Sequence, residues 1–235
     1  MNSERRGAPA GSAVAGCAPL RGALLCGLLA TLLAAGGARA ATLLAAVRDD
    51  SGRPVRDAVV LAMPLDGSPG GKPTREIIDQ IDKEFVPYVK PILVGSSVSF
   101  PNRDKLRHHV YSVSPAKPFE LPLYAGTPSS AVLFDKPGVV TLGCNIHDWM
   151  IAYVYVAETP HFAVSAHDGS ARIANLPSGR YAVRIWHPEM TVAESSTVQQ
   201  IAVGRDGETQ VSWTLKLTPI LRPRRAPAAG AHGYH

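Results

Sequence analysis

Short apolar runs broken by Gly- and Pro-rich turns dominate this chain, and helical periodicity is scarce. Thr42–Val47 and Ala58–Met63 read as strands around a turn at Asp49-Asp50-Ser51-Gly52-Arg53-Pro54. Gly67–Lys72 is a Gly/Pro-rich connection, and Ile77–Val94, with Pro87 and Pro91, is a mixed extended stretch. Strands are then expected at Ser97–Phe100, His108–Ser114, Ala131–Phe134 and Val139–Leu142, and Trp149–Val156 is the most hydrophobic strand outside the N-terminal segment. After Glu158-Thr159-Pro160 the texture changes. Asp168-Gly169-Ser170 signals a hairpin, Asp206-Gly207 marks another turn, and Ala182–Trp186 and Gln210–Leu217 alternate. Residues 220–235, rich in Pro, Ala, Gly and Arg, read as a disordered basic tail. The pattern predicts an all-β protein.

Residues 1–40 read as a secretory signal peptide. Arg5, Arg6 and Arg21 make a positive n-region, Gly22–Ala35 is apolar, and Ala38-Arg39-Ala40 is a cleavage site before Ala41. The apolar run is short for a membrane span, and no second one follows, so the exported chain is expected not to span a membrane. Val14-Ala15-Gly16-Cys17 resembles a lipoprotein box but precedes the apolar segment instead of following it. A periplasmic location follows. The signal carries four Arg and one Glu, so its loss takes the formal net charge from +5 to +2. Arg222, Arg224 and Arg225 supply three positives in the tail, which leaves the folded part near neutral. The basic character sits at the two ends, and nucleic-acid binding is not implied. About 195 residues remain, enough for one large or two small cores.

The cysteine count is sharper. Cys17 and Cys26 leave with the signal, and Cys144 is the only Cys of the mature chain. In an oxidising compartment a lone Cys cannot form an internal disulfide, and a free thiol is an oxidation hazard. It could be an inert buried residue, but its neighbours argue otherwise. Cys144-Asn145-Ile146-His147-Asp148-Trp149-Met150 places a thiolate, an imidazole and a thioether at Cys-x2-His-x2-Met spacing, and Arg107-His108-His109-Val110 offers a second imidazole upstream. Two His, one Cys and a long-bonded Met are the donor set of a blue-copper electron-transfer site. Strand parity groups His108 with Val110 and Ser112, and His109 with Tyr111 and Val113. Both sets contain apolar residues, so parity does not choose between the two His.

Two resemblances extend the picture. Residues 80–160 resemble the cupredoxin (plastocyanin/azurin-like) family. The ligand-loop spacing is similar to that of amicyanins, and Asn102-Arg103 followed by His108-His109-Val110 resembles the amicyanin Asn-Arg-x4-His-Asn-Val pattern. Ser114-Pro115-Ala116-Lys117 and Cys144-Asn145-Ile146-His147 resemble cupredoxin-domain proteins labelled as methylamine-utilisation proteins. The resemblance implies one mononuclear type 1 copper held by His108, Cys144, His147 and Met150. His109 departs from the pattern, because family members usually carry there an Asn that ties the two ligand-bearing loops together. Val47–Val60 and Asp168–Val183 resemble the opening and later strands of a carboxypeptidase-regulatory-like, transthyretin-like sandwich. The expected fold is a Greek-key β-sandwich of cupredoxin type over 73–160, with a transthyretin-like β-sandwich element made from 41–66 and 161–219.

The expected function is one-electron transfer by copper between redox partner proteins, a donor and an acceptor, without bond chemistry. His147 would be the edge for electron entry, beside a docking patch at Trp149. The alternative is an exported copper-binding or cell-envelope interaction protein that carries no electrons. There is no Cys-x-x-Cys-His for haem, and one Cys excludes a dinuclear dithiolate copper centre. Zinc could take a Cys and two His, but Met is a poor zinc ligand. His187-Pro188-Glu189-Met190 repeats the His-x2-Met spacing without a Cys and is a weaker second candidate, while His161, His167, His232 and His235 read as surface residues.

Overall fold

The structure is a computed structural model that describes residues 41–128 and 130–220. The expected signal peptide and the tail beyond Ile220 lie outside the described residues. No helix among those residues is long and apolar enough to cross a membrane.

The described chain is all-β. Its strands are β1 (Ala41–Asp49), β2 (Val59–Pro64), β3 (Arg75–Ile77), β4 (Asp79–Ile81), β5 (Glu84–Val86), β6 (Val89–Leu93), β7 (Ser97–Ser99), β8 (His108–Ser112), β9 (Phe119–Tyr124), β10 (Val132–Leu133), β11 (Gly138–Gly143), β12 (Ile151–Ala157), β13 (Phe162–Val164), β14 (Ser170–Leu176), β15 (Gly179–Trp186), β16 (Gln199–Val203) and β17 (Glu208–Leu215). One 3-10 turn, Glu194–Thr197, interrupts them.

The strands sort into two sets by sheet. β14-β1-β17 and β13-β2-β15-β16 enclose one core, which includes Leu43, Val47, Ile173, Val183, Ile185 and Trp213. The intervening strands form the five-stranded sheet β6-β12-β11-β8-β9, the sheet β10-β7-β3 and the ribbon β4-β5. Phe85, Val98, Phe100, Phe134, Leu142 and Val154 are among the residues of their core.

A third apolar cluster joins the two sets and explains the two most hydrophobic strands. On β12, Ala152, Val154 and Val156 point into the second core, while Tyr153, Tyr155 and Ala157 belong to the third cluster. On β2, Val60 and Ala62 point into the first core, and Val59 and Leu61 face the same third cluster. Both strands are covered on both faces, so both read as unbroken apolar runs. Trp186 lies across the join, with ring centroids 5.6 Å from those of Tyr153 and Tyr155, and the Tyr155 hydroxyl donates to Glu194 at 2.5 Å.

The expected hairpin at Asp168-Gly169-Ser170 is corrected. The turn exists, with Gly169 at φ 78°, and a Cβ there would strike the Val47 carbonyl at 2.3 Å. The strands on either side do not pair, because β13 lies beside β2 and β14 beside β1. The turn therefore carries the chain from one sheet to the other. Asp206-Gly207 does the same between β16 and β17. Ile220, assigned from sequence to the tail, packs against the third cluster, and its N–H donates to Glu189.

Candidate metal centre

Three of the residues expected from sequence bring their ligand atoms together. His108 is on β8, Cys144 directly follows β11, and His147 lies in the connection between β11 and β12. His108 Nδ1 is 4.0 Å from Cys144 Sγ, and His147 Nδ1 is 3.8 Å from it. The three ligand atoms all lie within 4.8 Å of one another, and this is the one such group among the described residues. An ion about 2.3 Å from sulfur and about 2.0 Å from nitrogen, seen at a trigonal angle, requires an N···S separation of about 3.7 Å. The donor spacing fits that requirement. Met150 is 1% exposed and belongs to the same apolar cluster as Cys144. Its N–H donates to the His147 carbonyl at 2.9 Å, which closes the loop after the second His.

The local sequence explains these positions. β11 and β12 pair antiparallel from Gly138↔Val156 to Gly143↔Ile151, so residues 144–150 are the connection at one end of a strand pair. Gly143 lets the Tyr111 ring lie against the end of β11, where a Cβ would sit 2.9 Å from that ring. β8 and β9 change register between His108↔Tyr124 and Val110↔Leu121. Pro122 and Leu123 thus stand opposite His109 alone, which is a β-bulge beside the site. Across the bulge His108 points inward with Val110 and is fully buried.

His109 points the other way. Its Nε2 is 2.8 Å from Glu120 Oε1, its ring is 5.4 Å from that of Tyr111, and its buried Nδ1 has no hydrogen-bond partner. With Tyr111, Phe119, Glu120 and Asn145 it lines an open cleft of about 490 Å³ on the outer side of β8. It is not part of the three-residue group.

Each imidazole has a second set of contacts. His108 Nε2 is 2.7 Å from Asp104 Oδ2. This carboxylate holds the ring with Nε2 as donor, which leaves Nδ1 free to face the thiol. Burial works to raise the Asp104 pKa, but the Lys83 N–H, the His108 ring and the Asp82 N–H outweigh it and hold the carboxyl below its ordinary value. His147 is held below the ordinary imidazole value, first by burial and then by His108 and Lys83, with Asp104 opposing. Metal ligation needs the neutral ring, and this shift favours it. Tyr124, across from His108, is pushed up to about 12 by burial, with the Gln80 amide opposing and Cys144 adding to the rise. Asn102 organises the approach to His108. Its amide donates to the Leu106 and Tyr124 carbonyls, and its Oδ1 accepts the Asp104 N–H.

Sequence reading did not find Asp104, Lys83 or Tyr124. Asp104 had one available signal, a carboxylate four residues before a candidate ligand. The weaker candidate around His187 makes no such cluster, and His187 Nδ1 already accepts the Glu189 N–H at 3.1 Å. His161 is half-buried against Tyr181, not a solvated surface residue.

No protein-family model matches this chain, and no curated protein does. Solved structures match it in part. A Cu-containing nitrite reductase from Thermus scotoductus SA-01 is 26% identical over 40% of this chain and 25% of its own, with a TM-score of 0.34. This chain thus spans about a quarter of that protein's length. A purple cupredoxin from Nitrosopumilus maritimus is 23% identical over 35% of this chain and 99% of its own, at 0.31. A mutant of amicyanin, Cu(I), is 18% identical over 35% of this chain and 82% of its own, at 0.32.

Proposed function

We propose that this protein binds one copper ion through His108, Cys144, His147 and Met150 and carries single electrons between redox partner proteins in the periplasm. The observation that carries the reading is the convergence of two imidazole Nδ1 atoms on one buried thiol, at separations of 3.8 and 4.0 Å. Copper held by that donor set supplies a one-electron couple. The chain's own part is to keep the donors in place. Cys144 is 4% exposed, which protects the sulfur from oxidation, while His147 is only partly buried and offers a path to the surface. Ile146, 49% exposed, lies beside His147 and gives a partner an apolar contact. Residues 73–160 form the copper domain in this reading, and residues 41–66 and 161–219 a transthyretin-like sandwich packed against it. No bond-making chemistry is assigned.

The test is metal analysis and a visible spectrum of the purified protein, beside Cys144→Ser. One equivalent of copper and an intense thiolate-to-Cu(II) absorption that Cys144→Ser removes, with the β-sheet circular dichroism unchanged, are expected. Tight copper without that absorption would leave a copper-binding protein that carries no electrons, and tight zinc in its place would remove the redox role altogether.

A further inference from the structure

The turn between β4 and β5 reaches both imidazoles. Asp82 and Lys83 form this two-residue connection and both sit at positive φ, 53° and 60°. Such a turn favours Asn, Asp and Gly. Asp82 suits it, but Lys83 is an ordinary side chain held in an unfavourable backbone conformation, and conformations of this kind persist where the surrounding contacts over-determine them. The contacts here are specific. The Asp82 N–H donates to Asp104 Oδ1 at 2.8 Å, and the Lys83 N–H donates to Asp104 Oδ2 at 2.9 Å. Asp104 Oδ2 in turn holds His108 Nε2 at 2.7 Å. On its other side the Lys83 carbonyl accepts the Trp149 Nε1–H at 3.2 Å. The Trp149 ring lies 5.1 Å from that of His147, which lies 4.9 Å from that of His108. The contacts close a circuit from His108 through Asp104, the Lys83 backbone, Trp149 and His147 back to His108.

We propose that the Lys83 backbone, N–H towards Asp104 and C=O towards Trp149, is the brace that sets the two metal-binding segments at their working separation, with Asp104 and Trp149 as positioning residues acting through it. The proposal rests on the metal reading of the site. β8 and the 144–150 connection come from distant parts of the chain, and the one register pair between β8 and β11 is Gly143↔Tyr111. One residue whose N–H and C=O bond towards both segments fixes their relative position in a way neither strand ladder does. Ligands held by a second set of bonds need no reorganisation when the ion enters.

The experiment compares wild type, Asp104→Asn, Trp149→Phe and the double variant, with Co(II) as the probe metal. Co(II) affinity is read from its visible absorption, and amide hydrogen exchange is followed on the metal-free proteins. Each single variant is expected to weaken Co(II) binding roughly tenfold, the usual scale for loss of an outer partner. The double variant should be no weaker than the worse single, because both cut the same brace. The Lys83 amide should exchange faster in both Asp104→Asn and Trp149→Phe. Losses that multiply in the double variant overturn the brace, and so does unchanged Lys83 exchange in Trp149→Phe. If wild type binds no Co(II) through Cys144, the metal reading fails, and the exchange arm alone then decides the brace.

Discussion

Substituting His108 and His109 in turn separates the two faces of β8. Structural zinc sites bind with about 10–16 kcal/mol, which averages roughly 2.5–4 kcal/mol for each of four ligands. His108→Ala removes one of the converging donors. It should therefore weaken metal binding by roughly 10²–10³-fold, since about 1.4 kcal/mol is a factor of ten. It also strips Asp104 of its imidazole partner while leaving the two N–H donors from Asp82 and Lys83. His109→Ala removes a ring whose polar contact is to Glu120, a side chain 69% exposed. Pairs of that kind are worth about 0–1 kcal/mol, so metal affinity should stay within about fivefold of wild type. Competition titrations against a chelator of known affinity, with zinc and with copper, give both numbers. Equal losses in the two variants, or the larger loss in His109→Ala, would refute the assignment of faces across the bulge.

Met150→Leu should keep the metal and raise the reduction potential, because loss of a weak axial donor disfavours Cu(II); a potential unmoved in voltammetry would make Met150 a core residue only. Ser165→Ala should cost about 2–4 kcal/mol in denaturant unfolding, since the buried hydroxyl accepts the Ala58 N–H at 2.9 Å and donates to the Val55 carbonyl at 2.8 Å, and both would be left unpaired. Asp49 is held at about 2, below its ordinary 3.8, chiefly by the Ser51 hydroxyl. Its stabilising contribution is complete above 3.8 and is lost as pH falls towards 2. Asp49→Asn should accordingly melt below wild type at neutral pH, with the gap closing over that window.

Local pattern marked most of the strands, because burial on one face leaves alternation and burial on two faces leaves an unbroken apolar run. It missed β9, where Pro122 interrupts Phe119–Tyr124. Pro is tolerated on an edge strand, and β9 is the edge of its sheet. Pairing was less legible than the strands themselves. Asp168-Gly169 carries the chemistry of a tight turn, but turn chemistry states only that the chain reverses. Which sheet the next strand joins depends on the partner that β1 offers to β14, and that partner is more than a hundred residues away in the sequence.

The donors of the candidate centre were legible for a different reason. Three of the four lie within seven residues, so their spacing is a local property and survives ignorance of the fold. The fourth was ambiguous between His108 and His109 because both faces of the strand carry apolar residues, and in the fold both rings are buried, His108 at 0% and His109 at 8% exposure. What holds the donors was hardest to read. Resemblance placed the tie between the ligand-bearing segments at position 109, but that ring faces Glu120. The bonds that reach both segments come from backbone atoms of Lys83, at a turn with neither Gly nor Asn. A backbone donor has no residue type to recognise, and its partner Asp104 resembles any other loop carboxylate until the β4–β5 turn is placed against it. Chemistry carried by side chains close in sequence can thus be read from a single chain, whereas positioning carried by backbone atoms cannot.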